Sequence, residues 1–489
     1  MRNSTRTSPF ALLALASLLA VAGSAGSDMR PAQLPAANAA AGATQYVYLP
    51  LIMTQTSSRR VNVPYFDVAN IGQSKFSETA IFWFGRIGAS DNYADVRLGY
   101  NNAELYVYVA AFDRRLWYDT SPAPGDLTNW DAVTLYLDRD GNVGGAPDTD
   151  AYRFDAQFNW WEARTNYQAA YKGNGSAWAT ANLPLTTGAG WKGDAPNNNT
   201  DDRGWAMTFR VPFTSLGLSG PPAQGTLWGL ALALHDRDDS GGAPISDKTW
   251  PESLDANRQS TWGQLRFGLP TYTPPSAAST QVTTIRHKLD GAVVTDAAVG
   301  GYSVCGNGLD YWTEWGNANY GGDTDFNIQN QSDISDWPCF SKYYVTFPLS
   351  AIPSGKAIVS ATLTLHHSGN AGNAGQAQPS LIQVLSVGAS WNEATLTWNT
   401  APLATENVGR GWVDPVPPGC GSSVPWPCFA RTFDVSYAVA QAYAAQQPLR
   451  LALYSADSDY HSGKYFTSSD TGDWNAAGRP TLQVRWGNP

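Results

Sequence analysis

The chain has 489 residues, a formal net charge of -10 with only 15% charged residues, and 46 Gly, 31 Pro, 20 Trp and 23 Tyr. That length exceeds the size at which one core keeps growing, so two domains are expected, and the aromatic, Gly and Pro content fits short strands and turns better than long helices. An acidic chain without runs of Lys or Arg argues against nucleic acid, an anionic membrane or a strongly acidic polymer as the main partner and favours a neutral ligand.

In chain order, MRNSTRTSP followed by FALLALASLLAVAG and small residues has the pattern of a signal peptide over 1–25. Its apolar stretch is too short for a good membrane span, and no later segment is apolar enough, so no membrane span is expected after signal cleavage. An Ala/Pro/Ser-rich linker follows over 26–60, with the apolar patch YVYLPLIM inside it. Period-two alternation then recurs in AELYVYVAAFD, AVTLYLD, AYRFDAQFNWW, GWAMTFRVPF and LWGLALALHD, several of them apolar on both parities, which predicts a β-sandwich over 61–268. The Pro/Ser/Thr stretch 269–280 marks a boundary. Beyond it, KYYVTFPL, SATLTLHH, SLIQVLSV, LRLALYS and TLQVRWG predict a second sandwich over 281–489, with one short helix in DVSYAVAQAYAAQ, where Asp434 can cap and Val435, Val439, Ala442 and Tyr443 share a face. The fold class is therefore all-β, two jelly-roll-like sandwiches in tandem.

All four cysteines, Cys305, Cys339, Cys420 and Cys428, lie in the second half, and an even count in an exported chain implies two disulfides. Three pairings are open. Cys305 with Cys339 and Cys420 with Cys428 is favoured because each pair brackets one loop-rich insertion.

No GxSxG, HExxH, P-loop or GxGxxG motif occurs, and the adjacent His366 and His367 point to opposite strand faces. The acids are mostly Asp, and LDRDGNVGGAPDTD places Asp138, Asp140, Asn142, Asp148 and Asp150 in one Gly-containing turn, a set of oxygen ligands suited to calcium. An acidic solvated hairpin is the alternative. HDRDDSGG, with Asp236, Asp238 and Asp239, is a second, weaker cation candidate.

In AYRFDAQFNWW, a regular strand puts Trp160 with the core residues and Trp161 with Arg153, Asp155 and Gln157 on the polar parity. An aromatic ring among polar side chains suits a sugar, the ring covering the C–H face while the polar groups bond the hydroxyls. Trp130 and the loop residues Trp117 and Trp250 extend that candidate platform, unless these rings only cover sheet edges and loop bases. SWNEATLTWNTAP, Ser390 to Pro402, poses the same question for Trp391 and Trp398.

LYVYVAAFDRRLW, NWDAVTLYLDRDGN, GWAMTFRVPFTSLGL, GTLWGLALALHDRDD and TWGQLRFG resemble, in order, the blocks of family 9 carbohydrate-binding modules and the wider DOMON-like sandwiches. The resemblance implies sugar binding between Trp side chains and structural calcium. Some DOMON-like relatives instead bind haem through Met and His, here Met207 and His235. NANYGGDTDFNIQ, YYVTFPLSAIPSGKAIVSATLTL, SWNEATLTWNTAP, DVSYAVAQAYAAQQPLRLALYS and GRPTLQVRW resemble the DNRLRE-type domain, related to a carbohydrate-binding module family, although the literal string is absent. In such domains the W-x-E-x-T-x-T-W block is a framework feature, which favours architecture for Trp391 and Trp398, with Glu393 tying a loop.

These readings converge on an exported or cell-surface, non-catalytic protein whose first sandwich binds a neutral polysaccharide or oligosaccharide and whose second is an ancillary glycan-binding or adhesive module. A structural matrix protein without sugar binding is the alternative, ahead of a lyase or hydrolase and of a b-type haem protein. The oligomeric state is left open.

Overall fold

The computed structural model describes residues 59–141, 144–301, 308–330 and 338–489. The signal peptide, nearly all of the first linker, Asn142 and Cys305 lie outside them.

The chain is nearly all β, as its composition and period-two patterns require. In the first sandwich a five-stranded antiparallel sheet runs Ala80–Gly88, Asp91–Tyr100, Glu104–Phe112, Gly204–Pro212 and Thr186–Lys192. Against it lies a sheet ordered Arg60–Val63, Gly263–Phe267, Leu227–Asp236, Ala132–Asp138, Ala151–Gln157, Gln168–Gly173 and Trp178–Thr180, with Ile245–Trp250 beside the end of Leu227–Asp236. Alternate residues of both, among them Phe82, Phe84, Val96, Val107, Leu135, Phe154, Phe209 and Leu232, fill the core between them.

The second sandwich pairs the sheet Thr295–Val299, Phe340–Phe347, Leu449–Ser455, Ser380–Val387, Ala404–Val413 with the sheet Ala278–Arg286, Thr481–Asn488, Ala357–Asn370, Phe429–Asp434. Its core holds Tyr343, Val345, Leu363, Val384, Leu451 and Val484. The helix forms over Ser436–Ala444, with Ala438 and Val439 buried. Asp434 sits one residue before the capping position and accepts from the Ser436 amide at 2.9 Å. Cys420 and Cys428 are bonded to each other, and Cys339 is also in a disulfide.

A third apolar layer joins the sandwiches. Ile81, Trp83, Tyr93 and Phe112, on the outer face of the five-stranded sheet, pack with Val299, Phe340, Tyr344, Leu385, Trp398 and Tyr454 of the second sandwich. This explains why Ala80–Gly88 and Glu104–Phe112 carry apolar residues on both parities: each covers its own core with one face and meets the neighbouring sandwich with the other. Polar side chains in the layer bond across it. Asp95 accepts from Asn330 Nδ2 at 3.0 Å and from the Tyr454 hydroxyl at 2.9 Å, Arg97 donates to the Ala456 carbonyl at 3.0 Å, and Gln383 donates to the Thr79 carbonyl at 2.6 Å. Most inter-domain interfaces are small and polar, whereas this one is a core.

SWNEATLTWNTAP belongs to that joint. It is not a strand: Glu393–Thr395 form a single 3₁₀ turn, opened by the Asn392 side chain accepting from the Ala394 amide at 2.9 Å. Trp398 is buried in the shared layer, and Asn399 bonds both the amide and the carbonyl of Ile87 in the first sandwich, at 2.9 and 2.8 Å. Strand parity does not order this segment, because it leaves its sheet to reach the other sandwich.

Candidate functional site

Trp161 is the most exposed aromatic side chain among the described residues, 71% exposed, and Trp160 beside it is 45% exposed. The expectation that Trp160 lies in the core fails because the strand ends at Gln157 and Phe158 is the last residue of this run in the apolar core. The two indole rings lie 4.3 Å apart at 49°, and Trp191, on the edge strand Thr186–Lys192, meets Trp160 edge-on at 5.7 Å. The loop beneath is held from inside. Arg164 donates to the Gln157 carbonyl at 2.7 Å and to Thr187 Oγ1 at 2.9 Å, and Asn159 Nδ2 donates to the Glu162 carbonyl at 2.8 Å. Glu162 itself accepts from the Trp161 amide at 3.2 Å. The outcome is a rigid, ridged aromatic surface with a carboxylate at its base.

The polar partners expected for Trp161 are employed elsewhere. Asp155 is buried and holds Arg153 in a two-pronged ion pair at 2.9 and 2.7 Å, with Arg153 lying over Tyr171 at 4.9 Å. Asp155 also accepts from Thr134 Oγ1 at 2.8 Å, whose oxygen contacts His235 Nε2 at 2.9 Å. Gln157 is fully buried, donating to the Leu127 carbonyl at 3.0 Å and accepting from the Asp119 amide at 3.0 Å. It therefore ties down the loop that covers this end of the strand and is closed to a ligand. Trp250 is likewise removed from the platform: it ends a strand rather than standing in a loop, is 2% exposed, and packs on Phe82 at 4.3 Å. Trp117 and Trp130 are half-buried, and the Arg237 guanidinium covers the Trp130 ring at 4.2 Å. The strand's polar parity instead joins a second aromatic group, Tyr136, Trp178 and Trp262, on the outer face of the sheet.

Asp138, Asp140, Asp148 and Asp150 converge, one carboxylate oxygen from each lying within 4.8 Å of the others. Asp138 is fully buried and neither of its oxygens has a hydrogen-bond partner. Burial, with Asp148, Asp140 and Asp150 adding, pushes its carboxyl up to about 8, and burial with the Asp148 contact pushes Asp150 up to about 6. Such clustering of acids is the arrangement a hard cation relieves.

A second group lies deeper. Asp113, Asp131 and Asp236 are all buried, again with one oxygen each within 4.8 Å. Asp131 accepts from the Trp117 and Arg237 amides at 2.7 and 3.0 Å, Asp113 from Trp205 Nε1 at 3.1 Å, and Asp236 Oδ1 has no partner. Burial, with Asp238 next, pushes Asp236 up to about 7, and burial raises Asp113 and Asp131 well above the ordinary range. Of the HDRDDSGG residues, Asp236 belongs to this group and Asp238 lies near enough to raise its pKa, whereas Asp239 closes a turn by accepting from the Gly241 amide at 2.8 Å. The missed signal is a recurrent Asp at strand boundaries: AFD113, NWD131 and LHD236. Asp296, Glu393 and Asp470 form a third cluster, in the second sandwich.

Met207 and His235 do not make a ligand pair. Met207 is buried between the sheets of the first sandwich, whereas His235 is held on an outer face by Thr134 and by Asp247 Oδ1 at 2.9 Å.

Residues 311–484 match the model of carbohydrate-binding module family 96, a span inside the second sandwich. No curated protein matches the chain. Among solved structures, a family 9 carbohydrate binding module from Caldicellulosiruptor kristjanssonii in complex with cellotriose is 17% identical with a TM-score of 0.33, covering 45% of this chain and 100% of its own. The same organism's module in complex with glucose is 18% identical with a TM-score of 0.31, covering 44% and 100%. A candidate carbohydrate-binding protein from Bacteroides uniformis is 12% identical with a TM-score of 0.33, covering 43% and 100%.

Proposed function

We propose that this is an exported, non-catalytic carbohydrate-binding protein, that the Trp160–Trp161 surface of the first sandwich takes a neutral sugar by stacking, and that calcium bound by the two Asp groups stiffens the loops around it. The observation that carries the reading is the adjacent, exposed indole pair on a loop fixed by internal hydrogen bonds. Exposed apolar rings cost solvation, and a prefixed aromatic face recovers it when a sugar's C–H face covers it. The match of residues 311–484 to a carbohydrate-binding module family supports the same ligand class for the protein as a whole, with the second sandwich as an ancillary glycan-binding or adhesive module. The signal-peptide pattern at the N-terminus supports export. Asp138, Asp140, Asp148 and Asp150 would hold one cation, and Asp113, Asp131 and Asp236 another. The unpartnered buried oxygens of Asp138 and Asp236 fit a hard, oxygen-loving ion.

A glycan and polysaccharide array, with calcium and with EDTA, tests this. Retention on a neutral glycan that is lost in Trp161→Ala, with no sugar released from the bound polymer, supports the reading. Folded protein that no glycan retains leaves the structural matrix role in its place.

A further inference from the structure

Where the two sandwiches meet at the surface, they enclose a cleft of about 420 Å³, lined by Gly72–Glu78 and Tyr108 from the first and by Trp412, Ser458 and Asp459 from the second. We infer that this cleft is a second sugar-binding subsite, built jointly by both sandwiches; the inference rests on the carbohydrate-binding reading above.

The volume falls within the roughly 300–1,000 Å³ of small-ligand sites, which favour domain junctions. Its walls combine rings with hydroxyl, amide and carboxylate groups. Phe76 meets Tyr108 edge-on at 4.9 Å, Trp412 is 51% exposed, and Gln73, Ser77 and Asp459 are among the polar side chains of the lining. Lys75 is paired with Glu78 at 2.7 Å, so no free cation of the lining invites an anion, and the chemistry favours a polyhydroxylated neutral ligand.

The cleft is also preformed. Arg97, fully buried, lies 5.0 Å from the Phe76 ring and 5.9 Å from the Tyr108 ring, and donates to the Ala456 and Asp457 carbonyls at 3.0 and 3.3 Å, immediately before Ser458 and Asp459. One side chain thus braces both walls. Arg410, two residues before Trp412, donates to the Glu78 carbonyl at 3.0 Å and ties the same two walls from the other side. A poorly packed seam between domains would lack such cross-bracing. With the walls fixed, a ligand meets little ordering cost.

Hydroxyl-radical footprinting reads the two surfaces separately, with the full chain and a panel of neutral gluco-, xylo-, manno- and galacto-oligosaccharides. Protection of Trp412 and Phe76 by one of these sugars, unchanged in Trp161→Ala, is the expected result. Trp412→Ala should weaken binding at the cleft about tenfold while Trp412→Phe retains most of it. Unchanged melting temperatures would show that both variants remain folded. A sugar that protects Trp161 and leaves Trp412 as reactive as before overturns the cleft and spares the first platform. Protection of Trp412 alone upholds the cleft and removes the platform. No protection of either ring by any sugar overturns both.

Discussion

The Lys342 ammonium of the second sandwich donates to the Tyr93 hydroxyl of the first at 2.7 Å. It lies within 3.6 Å of the Trp398 ring centroid and 4.1 Å of that of Trp83. Lys342 is buried, and desolvation lowers its pKa well below that of an ordinary lysine. Its cage draws on both sandwiches, so neither can unfold without opening it.

Calorimetry on the mature chain should therefore show one endotherm for both sandwiches. Trp398→Ala removes a wall of the cage and should cost about 3–5 kcal/mol, moving the whole transition. Two endotherms, with only one displaced, would refute the shared core.

The platform and the core can be told apart by two tryptophans. Trp161→Ala should leave stability within about 0.5 kcal/mol of wild type, since its ring is exposed. Trp250→Ala should cost about 3–5 kcal/mol through the cavity left beside Phe82. Chemical denaturation of both variants is the check, and equal losses would contradict the placement of Trp161 on the surface.

EDTA-treated protein should gain thermal stability on adding calcium, by about 2.7 kcal/mol per site at a hundredfold excess over the dissociation constant. Titration calorimetry should record separate losses in Asp138→Asn and Asp131→Asn, because these residues belong to different carboxylate groups. An absent heat together with an unmoved melting curve would remove the cation from the mechanism.

Acid should destabilise the protein partly through His367. Burial, with Arg431 and Lys464 adding, pushes its imidazole down to about 3 from an ordinary 6.5. Its folded pKa lies below its unfolded one, so the unfolded chain takes up the proton first: the stabilisation is complete above about 6.5 and is lost as the pH falls towards about 3. His367 Nδ1 accepts from Arg431 Nε at 3.3 Å and Nε2 contacts the Gly369 carbonyl at 2.8 Å, an arrangement for the neutral ring. His367→Gln should flatten this slope while costing about 1–3 kcal/mol at neutral pH. A melting temperature whose pH dependence is unaltered by the substitution would contradict this.

Much of the architecture was legible because period-two alternation sees a strand and its two faces. The sandwiches, the helix at Ser436–Ala444 and the Asp138–Asp150 cluster each follow from residues close together in the chain. What alternation could not reveal was which second face is covered, and by what. Tyr93, Asp95 and Arg97 share one face of the strand Asp91–Tyr100, which was not among the segments recognised, and only the neighbouring sandwich buries that mixed face. Trp160 and Gln157 were misplaced because the pattern was carried past the end of the strand and the loop that folds over it was invisible. Asp113 and Asp131 join Asp236 from separate blocks, a proximity set by folding alone.

The shared layer has a consequence for how the halves can be used. Cut at the 269–280 stretch, the first half would carry Ile81, Trp83, Tyr93 and Phe112 as an open sticky face, and the second half Phe340, Tyr344, Trp398 and Tyr454. Each severed piece would be an aggregation hazard and a template for the other. The sandwiches are therefore not beads to be shuffled between chains: a lineage that keeps one half must keep the other or repaint its face.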